Sequence, residues 1–316
     1  MSSSCSLLDC GSTDDRQFDM GDYGSKVPRW CPGCGDFAIL TGVHRLLASQ
    51  QLKPEKTVFV SGIGCSSRFP HYMDTYGFHG IHGRALPIAT GVKLARPDLD
   101  VFVTMGDGDC TSIGAGHWIH AIRYNIDMTV LLLDNNIYGL TKKQTSPTTP
   151  QGLKTNTQVK GSFLPPLNPL QTTLGVTNAS FVAQTADWMP SHLAATLQAA
   201  KNHKGFSFVR ILQRCPVFTP DVFAEAIRNP DMVDVLAHPD GIIDPTSEKI
   251  FKSQIFHDPS DIHHARELAE YGNRVRVGLF FRDESFARYD EIRQVPKKTP
   301  EEKIAFINAE LDRHAV

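Results

Sequence analysis

Four cysteines have the side-chain type and spacing that redox or metal chemistry requires. Cys31 and Cys34 lie in "WCPGCG", Cys65 lies in "SGIGCSSRF" and Cys215 lies in "LQRCPVF". Two thiols separated by two residues occur in redox dithiols, in halves of zinc sites and at iron–sulfur clusters. The paired motif alone leaves these three interpretations open.

The residues around the paired motif and the two distant cysteines bear on the choice. A thioredoxin-like dithiol follows an apolar strand, whereas the residues before this motif read "DYGSKVPR". Zinc ribbons and fingers usually add a second CxxC or a pair of histidines, and the sequence contains no second CxxC. Cys65 and Cys215 each follow a run that predicts a strand, so the four thiolates together could enclose a four-iron cluster. Cys110, beside a Gly-Asp-Gly turn, is interpreted as a nonligand of that cluster.

A second candidate site combines "MGDGDCTSIGAG" with "LLLDNNIYGLT", each of which begins in an apolar run. One helix and one strand fit between Asp107 and Asn135, so both side chains can lie at the same edge of a sheet. Mg²⁺ binds carboxylate and amide oxygens, and Gly106 and Gly108 allow the backbone to approach a diphosphate closely. A Gly-Asp-Gly triplet alone is typical of a tight turn. Its pairing with Asn-Asn at this interval favours a site for Mg²⁺ and a diphosphate.

The composition excludes several classes of function. The chain has 316 residues, 41% hydrophobic, with 32 Lys and Arg against 34 Asp and Glu and a pI near 6.7. No basic run interleaved with aromatic residues indicates nucleic-acid binding, and no apolar run is long enough for a membrane helix. Residues 1–23 lack the cationic start and apolar core of a secretory signal. We therefore expect a cytoplasmic protein.

The elements that must position these motifs alternate along the chain. Strands are predicted at 57–64, 100–109, 128–136 and 206–215, and helices at 36–49, 114–125 and 190–205. This alternation predicts an α/β fold with a doubly wound, largely parallel sheet, in which ligands bind beyond the carboxyl ends of the strands. After Pro216 the periodicity weakens, and a helix (263–272), a strand (274–281) and a last helix (299–315) are predicted.

Five motifs in order resemble the β subunit of the 2-oxoacid:ferredoxin oxidoreductases, with the 2-oxoglutarate enzymes as the nearest group. They are "WCPGCG", "GIGCSSR", "HGRALPIATGVKLA", "GDGD…GAGHWIHAIRYNID" and "LLLDNNIYGLTKKQTSPT". The resemblance spans about residues 30–216. It implies a thiamine diphosphate-binding domain with iron–sulfur ligands, which we place at 25–216. The Ser- and Asp-rich composition of residues 1–24 predicts a polar leader, and the weaker periodicity of residues 217–316 predicts a C-terminal extension packed on the main domain.

The resemblance also implies three cofactors: thiamine diphosphate, Mg²⁺ and a [4Fe–4S] cluster. The cluster ligands would be Cys31, Cys34, Cys65 and Cys215. The Mg²⁺ ligands would be Asp107, Asn135 and the carbonyl of Ile137. The residues expected to surround the thiamine cofactor are Ile63, Gly64, Cys65, Ser66, His82, Gly83, Arg84, Asp107, Gly108, Asp109, Cys110, Thr111, Asn135, Ile137, Gly139, Leu140, Thr141, Lys142 and Gln144.

The implied reaction transfers the acyl group of a 2-oxoacid to coenzyme A and electrons to ferredoxin, with CO₂ released or, in reverse, fixed. Arg68 and Lys142 are the cationic candidates for binding the two carboxylates of 2-oxoglutarate. The family usually has Gly where Lys143 stands, which affects the shape of this loop. An activating Glu and a pyrimidine-binding domain would come from an α subunit, in an αβ or (αβ)₂ assembly.

Three alternatives remain at this point. Pyruvate or a branched-chain 2-oxoacid would replace 2-oxoglutarate as the substrate. A non-oxidative thiamine decarboxylase subunit would carry a structural zinc in place of the iron–sulfur cluster. A noncatalytic thiol–metal scaffold would retain the sheet without binding thiamine diphosphate.

Overall fold

The computed structural model describes residues 16–293 and 299–314, so most of the expected leader at 1–24 lies outside the described residues. The described residues form nine strands: β1 (Thr57–Ser61), β2 (Tyr76–His79), β3 (Asp100–Gly106), β4 (Met128–Asp134), β5 (Phe181–Ala186), β6 (Phe206–Leu212), β7 (Val233–Ala237), β8 (Ser253–Phe256) and β9 (Val275–Arg282). Their α-helices are α1 (Asp36–Ser49), α2 (Ala85–Ala95), α3 (Ala115–Tyr124), α4 (Pro169–Leu174), α5 (Pro190–Asn202), α6 (Ala224–Arg228), α7 (Pro245–Ile250), α8 (Ile262–Leu268), α9 (Tyr289–Ile292) and α10 (Pro300–Arg313). None of these helices is long and apolar enough to cross a membrane.

One sheet contains all nine strands, in the order β2–β1–β3–β4–β6–β5–β9–β7–β8. The first six are parallel to one another, and β9 joins them by antiparallel pairing with β5. β7 and β8 are parallel to β9. The predicted doubly wound, largely parallel α/β fold is confirmed. Residues after 217 extend the same sheet through the β5–β9 pair.

The central strands bury side chains on both faces. In β3, Val101, Val103 and Met105 contribute to one hydrophobic cluster, whereas Phe102 contributes to the cluster on the opposite face. Because successive strand residues point to opposite faces, an almost wholly apolar strand must be covered twice. α2 and α3 cover the first face, and α1 and α5 cover the second.

The strand predictions located the central strands but placed their ends too late. β1, β3, β4 and β6 all end before the functional residues, which lie in the turns that follow. A 3₁₀ turn (Ser66–His71) comes after the β1 loop and a single π-helical turn (Asp109–Ile113) comes after β3. π turns often occur at functional sites. The strands β2, β5, β7 and β8 were not anticipated, since they are short or lie where the apolar pattern is weak.

Candidate active site

A cavity of about 390 Å³ lies beyond the carboxyl ends of β1, β3 and β4. Its size is within the usual range for a small-molecule site. The loops after these three strands, together with one residue of the loop before α2, supply its walls. The lining residues are Ile63, Gly64, Cys65, Ser66, His82, Gly106, Asp107, Gly108, Asp109, Leu133, Asn135, Ile137, Tyr138, Gly139, Leu140, Thr141 and Gln144.

Asp107 and Asn135, which are far apart in sequence, both line this cavity. The side chain of Asp107 is buried, and burial together with the charge of Asp134 raises the pKa of Asp107 to about 7. The Thr148 hydroxyl lies 2.7 Å from Asp107 Oδ2 and 3.0 Å from Asp134 Oδ1. A hydroxyl has one proton, so it cannot donate to both carboxylates at once. Burial and Asp134 thus oppose ionisation of Asp107, and a cation bound beside Asp107 would favour its charged form.

These residues fit a magnesium site by their chemistry. Asp107 offers a carboxylate oxygen, and Asn135 offers an amide oxygen that already accepts a hydrogen bond from the backbone N–H of Ile137 at 3.1 Å. The backbone carbonyl of Asn135 accepts from the Thr219 hydroxyl at 3.0 Å, which anchors the loop to the residues after β6. Mg²⁺ prefers hard oxygen ligands, and the loop that supplies them here is anchored by the Thr219 hydrogen bond.

A buried ion pair lies next to the loop that carries Asn135. Arg210, in the middle of β6, lies with Nη2 at 2.6 Å and Nε at 2.8 Å from Asp134 Oδ2, and its Nη1 donates to Gln184. Asp134 Oδ1 accepts from the backbone N–H and side-chain amide of Asn136. Both members of the ion pair are buried, so each depends on the other for compensation of its charge.

The two glycines of the Gly-Asp-Gly turn allow close approach in different ways. A Cβ atom on Gly106 would lie 3.1 Å from the Ser66 hydroxyl, which is a tight contact. A Cβ atom on Gly108 would lie 2.1 Å from the ring of Tyr138, whose hydroxyl donates to the carbonyl of Gly108 at 2.9 Å. A side chain at position 108 would therefore displace Tyr138 or the turn, whereas one at position 106 would press only lightly on Ser66.

Asp109 connects two loops of the cavity wall. Its Oδ1 accepts from the backbone N–H of Ile63 at 3.2 Å and of Gly83 at 2.6 Å, and His82 Nδ1 lies 2.8 Å away. Burial raises the pKa of Asp109, and these contacts oppose the rise. Asp109 therefore holds the His82 loop against the β1 loop, so that both face the cavity.

Five of the expected cofactor residues do not line the cavity: Gly83, Arg84, Cys110, Thr111 and Lys142. Cys110 is fully buried in the hydrophobic core, and burial raises the pKa of its thiol. Thr111 donates to the carbonyl of Asp107 at 2.7 Å, and Arg84 donates to the carbonyls of Gly83 and Ile113. Thr111 and Arg84 thus hold nearby backbone turns, and the roles of all five residues toward a cofactor stay predictions.

The two cationic substrate candidates lie outside the cavity lining. The guanidinium of Arg68 lies 5.7 Å from the centre of the Tyr72 ring. Lys142 is exposed, and both Lys142 and Lys143 have left-handed backbone, with φ of 65° and 66°. Left-handed backbone at Lys143 gives a physical reason for the glycine that the family usually has there.

Three chain segments bring the four cysteines into one region. Cys34 has electrostatic interactions with Cys65 and Cys215, and Cys65 also interacts with Cys31. The backbone N–H of Gly35 donates to the Arg214 carbonyl at 3.0 Å, which joins the CxxC loop to the residues before Cys215. Burial and the nearby charge of Asp36 raise the pKa values of Cys34 and Cys65, the latter to about 12.

No three His, Cys, Asp or Glu side chains within 16–293 and 299–314 converge as ligands of a single metal ion would. Neither expected site is of that kind, because the magnesium set contains one carboxylate and each thiolate of a four-iron cluster binds its own iron. The four cysteines therefore fit a cluster by their number and their common region.

Sequence reasoning missed Tyr138, Thr148 and the Asp134–Arg210 pair. Arg210 carried a usable signal, because a cation inside the apolar run "FSFVRIL" requires a buried carboxylate as its partner. Thr148 lies in the quoted motif "TKKQTSPT", but nothing in its local sequence indicates a contact with Asp107. Tyr138 is absent from the residues expected to surround the cofactor, although its neighbours Ile137 and Gly139 are among them.

Comparison with known proteins agrees with this geometry. Residues 62–211 match the family "Thiamine pyrophosphate enzyme, C-terminal TPP binding domain". The "2-oxoglutarate oxidoreductase subunit KorB" of Mycobacterium tuberculosis is 49% identical over 217 residues, which are 69% of this chain and 58% of that protein. The "2-oxoacid:ferredoxin oxidoreductase subunit beta" of Saccharolobus solfataricus is 34% identical over 86% of each chain.

A solved structure is similar over nearly the whole chain. It is the "2-oxoglutarate:ferredoxin oxidoreductase from Magnetococcus marinus with 2-oxoglutarate, coenzyme A and succinyl-CoA bound". The TM-score is 0.77 at 37% identity, covering 95% of this chain and 93% of that chain.

Proposed function

Because the chain belongs to the family of 2-oxoacid:ferredoxin oxidoreductase β subunits, we propose that it is the thiamine diphosphate-binding part of an enzyme that oxidises 2-oxoglutarate. The reaction converts 2-oxoglutarate, coenzyme A and two oxidised ferredoxins into succinyl-CoA, CO₂, two reduced ferredoxins and a proton. The names of four relatives and of the solved structure mention 2-oxoglutarate, which supports this substrate over pyruvate.

The position of Cys65 is the observation that carries the proposal. Cys65 lines the cavity that contains Asp107 and Asn135, and it also interacts electrostatically with each of the other three cysteines. A Cβ atom on Gly139 would lie 3.5 Å from Cys65 Sγ, so the cysteine contacts the cavity loop after β4. One residue thus belongs to both the proposed thiamine site and the proposed cluster site. This adjacency is what direct electron exchange between them requires.

The chain's own residues bind and orient the cofactors in this proposal. Asp107, Asn135 and the Ile137 carbonyl would hold Mg²⁺, and the backbone at Gly106 and Gly108 would allow a diphosphate to approach closely. Asp109 keeps His82 on the wall of the cavity that would receive the cofactor. When bound, thiamine diphosphate supplies the electron sink for loss of CO₂, and the cluster accepts the electrons one at a time.

One catalytic group has to come from elsewhere. Thiamine enzymes use a carboxylate to activate the aminopyrimidine ring, and Asp107 and Asp109 are the acidic side chains that line the cavity in the described part of the chain. Asp107 belongs to the magnesium set, and Asp109 is held by two backbone N–H groups and His82. We therefore propose that an α subunit contributes the activating Glu, in an αβ or (αβ)₂ complex.

The test is coexpression of the chain with its α subunit, followed by metal and sulfide analysis. About four irons with matching sulfide per chain support a [4Fe–4S] cluster, whereas one zinc and no iron support the non-oxidative alternative. Reduction of methyl viologen is then measured with coenzyme A and 2-oxoglutarate, pyruvate or a branched-chain 2-oxoacid. The proposal fails if no 2-oxoacid supports reduction.

Two controls separate the cofactor roles. Asp107→Ala should abolish binding of thiamine diphosphate with Mg²⁺ while leaving the iron content unchanged. The chain purified without the α subunit should not reduce the dye. Turnover by the isolated chain would show that the activating carboxylate is not supplied by a partner.

A further inference from the structure

The loop that carries Cys31 and Cys34 lies partly at the surface. Residues 31–33 are exposed, and exposed apolar side chains flank them: Val27 is 85% exposed and Val217 is 52% exposed. A Cβ atom on Gly33 would lie 3.9 Å from Pro216 Cγ, so the loop adjoins the segment that carries the fourth cysteine. The surface closest to the four thiols is therefore apolar at its centre.

Cationic side chains lie at one border of this apolar surface. The backbone N–H of Arg29 donates to the Tyr72 hydroxyl at 3.0 Å, and Arg68 lies over the ring of the same tyrosine. Burial and the charges of His79, Arg68 and Lys26 lower the pKa of His71, so Lys26 is also nearby. Lys26, Arg29 and Arg68 have no carboxylate within ion-pair distance among residues 16–293 and 299–314.

The acidic side chains nearest to the cysteine loop do not cancel this charge. Asp36 and Asp187 are both buried, and Asp187 accepts from Arg214 Nε at 2.7 Å. Two exposed carboxylates are also close in the chain: Asp74 lies two residues beyond Tyr72, and Asp221 follows Pro220, which lines one cavity with Gly33. Lys26, Arg29 and Arg68 outnumber these two carboxylates, and the positive charge is concentrated on the Lys26–Arg29 side of the loop.

We propose that the surface formed by Lys26, Val27, Arg29, residues 31–33 and Val217, the docking surface, receives a small acidic iron–sulfur protein as electron acceptor. This inference rests on the proposed function, in which each encounter moves one electron from the cluster to the acceptor. An electron acceptor must approach the cluster closely, and the docking surface covers the exposed side of the cysteine loop. A basic border on one side of a small apolar surface favours fast, salt-sensitive encounter with an acidic partner.

The test uses the full complex with the α subunit and a purified ferredoxin that the wild-type complex reduces. Lys26→Glu/Arg29→Glu reverses two charges without touching a proposed cofactor or substrate residue. We expect the KM for ferredoxin and the Kd from direct titration to rise about tenfold or more at low ionic strength, with a smaller salt dependence. The rate with methyl viologen should stay unchanged, since a small dye does not need the docking surface. Lys249→Glu/Lys252→Glu, at exposed positions in and just after α7, is the matched control and should alter neither rate.

Each other result overturns the docking surface. An unchanged ferredoxin KM and Kd would show that the acceptor binds elsewhere. Loss of the α subunit from the variant on size-exclusion chromatography would show that this face binds the α subunit instead. An equal fall in both rates would indicate damage to the cluster site. A wild-type complex that reduces neither ferredoxin nor dye would contradict the proposed function itself, which keeps the two failures distinct.

Discussion

Replacing Gly108 with alanine isolates a single steric contact beneath the proposed cofactor. The backbone at Gly108 has φ of −68° and ψ of −30°, which any L residue adopts, so its conformation does not require glycine. What requires glycine is Tyr138, because a Cβ atom at position 108 would lie 2.1 Å from its ring. Gly108→Ala therefore adds one methyl group against a ring that also lines the cavity.

The size of the effect follows from this overlap. Carbon atoms in contact lie about 3.5–4.0 Å apart, so either the ring or the turn must move by roughly 1.5 Å. Overpacking of this kind costs roughly 1–3 kcal/mol. Both the turn and Tyr138 line the cavity, and each 1.4 kcal/mol corresponds to about tenfold in affinity. We expect the Kd for thiamine diphosphate with Mg²⁺ to rise by roughly one to two orders of magnitude.

Calorimetric titration of the complex with thiamine diphosphate and Mg²⁺ measures this change. Gly91→Ala, in α2, is the matched control, since no atom lies within 4 Å of the added Cβ, and its Kd should equal that of the wild type. Gly108→Ala/Tyr138→Ala removes the obstacle and should bind more tightly than Gly108→Ala alone. Wild-type affinity in Gly108→Ala, or simple additivity of the two substitutions, would refute the steric explanation.

Three further substitutions test side chains and backbone that stabilise the fold, two of them near the site. Arg210→Met leaves Asp134 buried without its partner and should lower the free energy of unfolding, measured in urea, by about 3–5 kcal/mol. The double variant Arg210→Met/Asp134→Asn should recover part of this loss. A loss below about 1 kcal/mol in Arg210→Met would contradict the prediction. Lys143 has left-handed backbone with φ of 66°, which glycine adopts without strain. Lys143→Gly should therefore raise the melting temperature by an amount equivalent to about 1 kcal/mol of stability. A lower melting temperature would count against strain in this loop. Burial lowers the pKa of His192 to about 4, so the unfolded chain binds an extra proton as the pH falls from about 6.5. The contribution of neutral His192 to the free energy of unfolding is fully present above pH 6.5, and it falls by roughly 3 kcal/mol by pH 4. His192→Gln should flatten that decline in urea unfolding curves between pH 7 and pH 4.5, and an unchanged slope would exclude His192 as its source.

Local sequence determined the fold class and the chemical character of the site. The runs that become β1, β3, β4 and β6 are almost wholly apolar, which is possible only for strands covered on both faces. Asp107 and Asn135 follow two of these strands, so parallel pairing alone places them at the same sheet edge. The resemblance of five short motifs was sufficient to indicate the family, because they occur in the same order as in the family.

Only the tertiary structure decided how the site is supported. Thr148 contacts Asp107 and Asp134, and Arg210 neutralises Asp134 from a neighbouring strand, across sequence separations that carry no periodic signal. The β1 loop turns Cys65 toward both the cavity and the other cysteines, which no local pattern predicts. Local patterns encode what each segment can form, whereas hydrogen bonds and burial between distant segments depend on how the packed sheet brings their loops together.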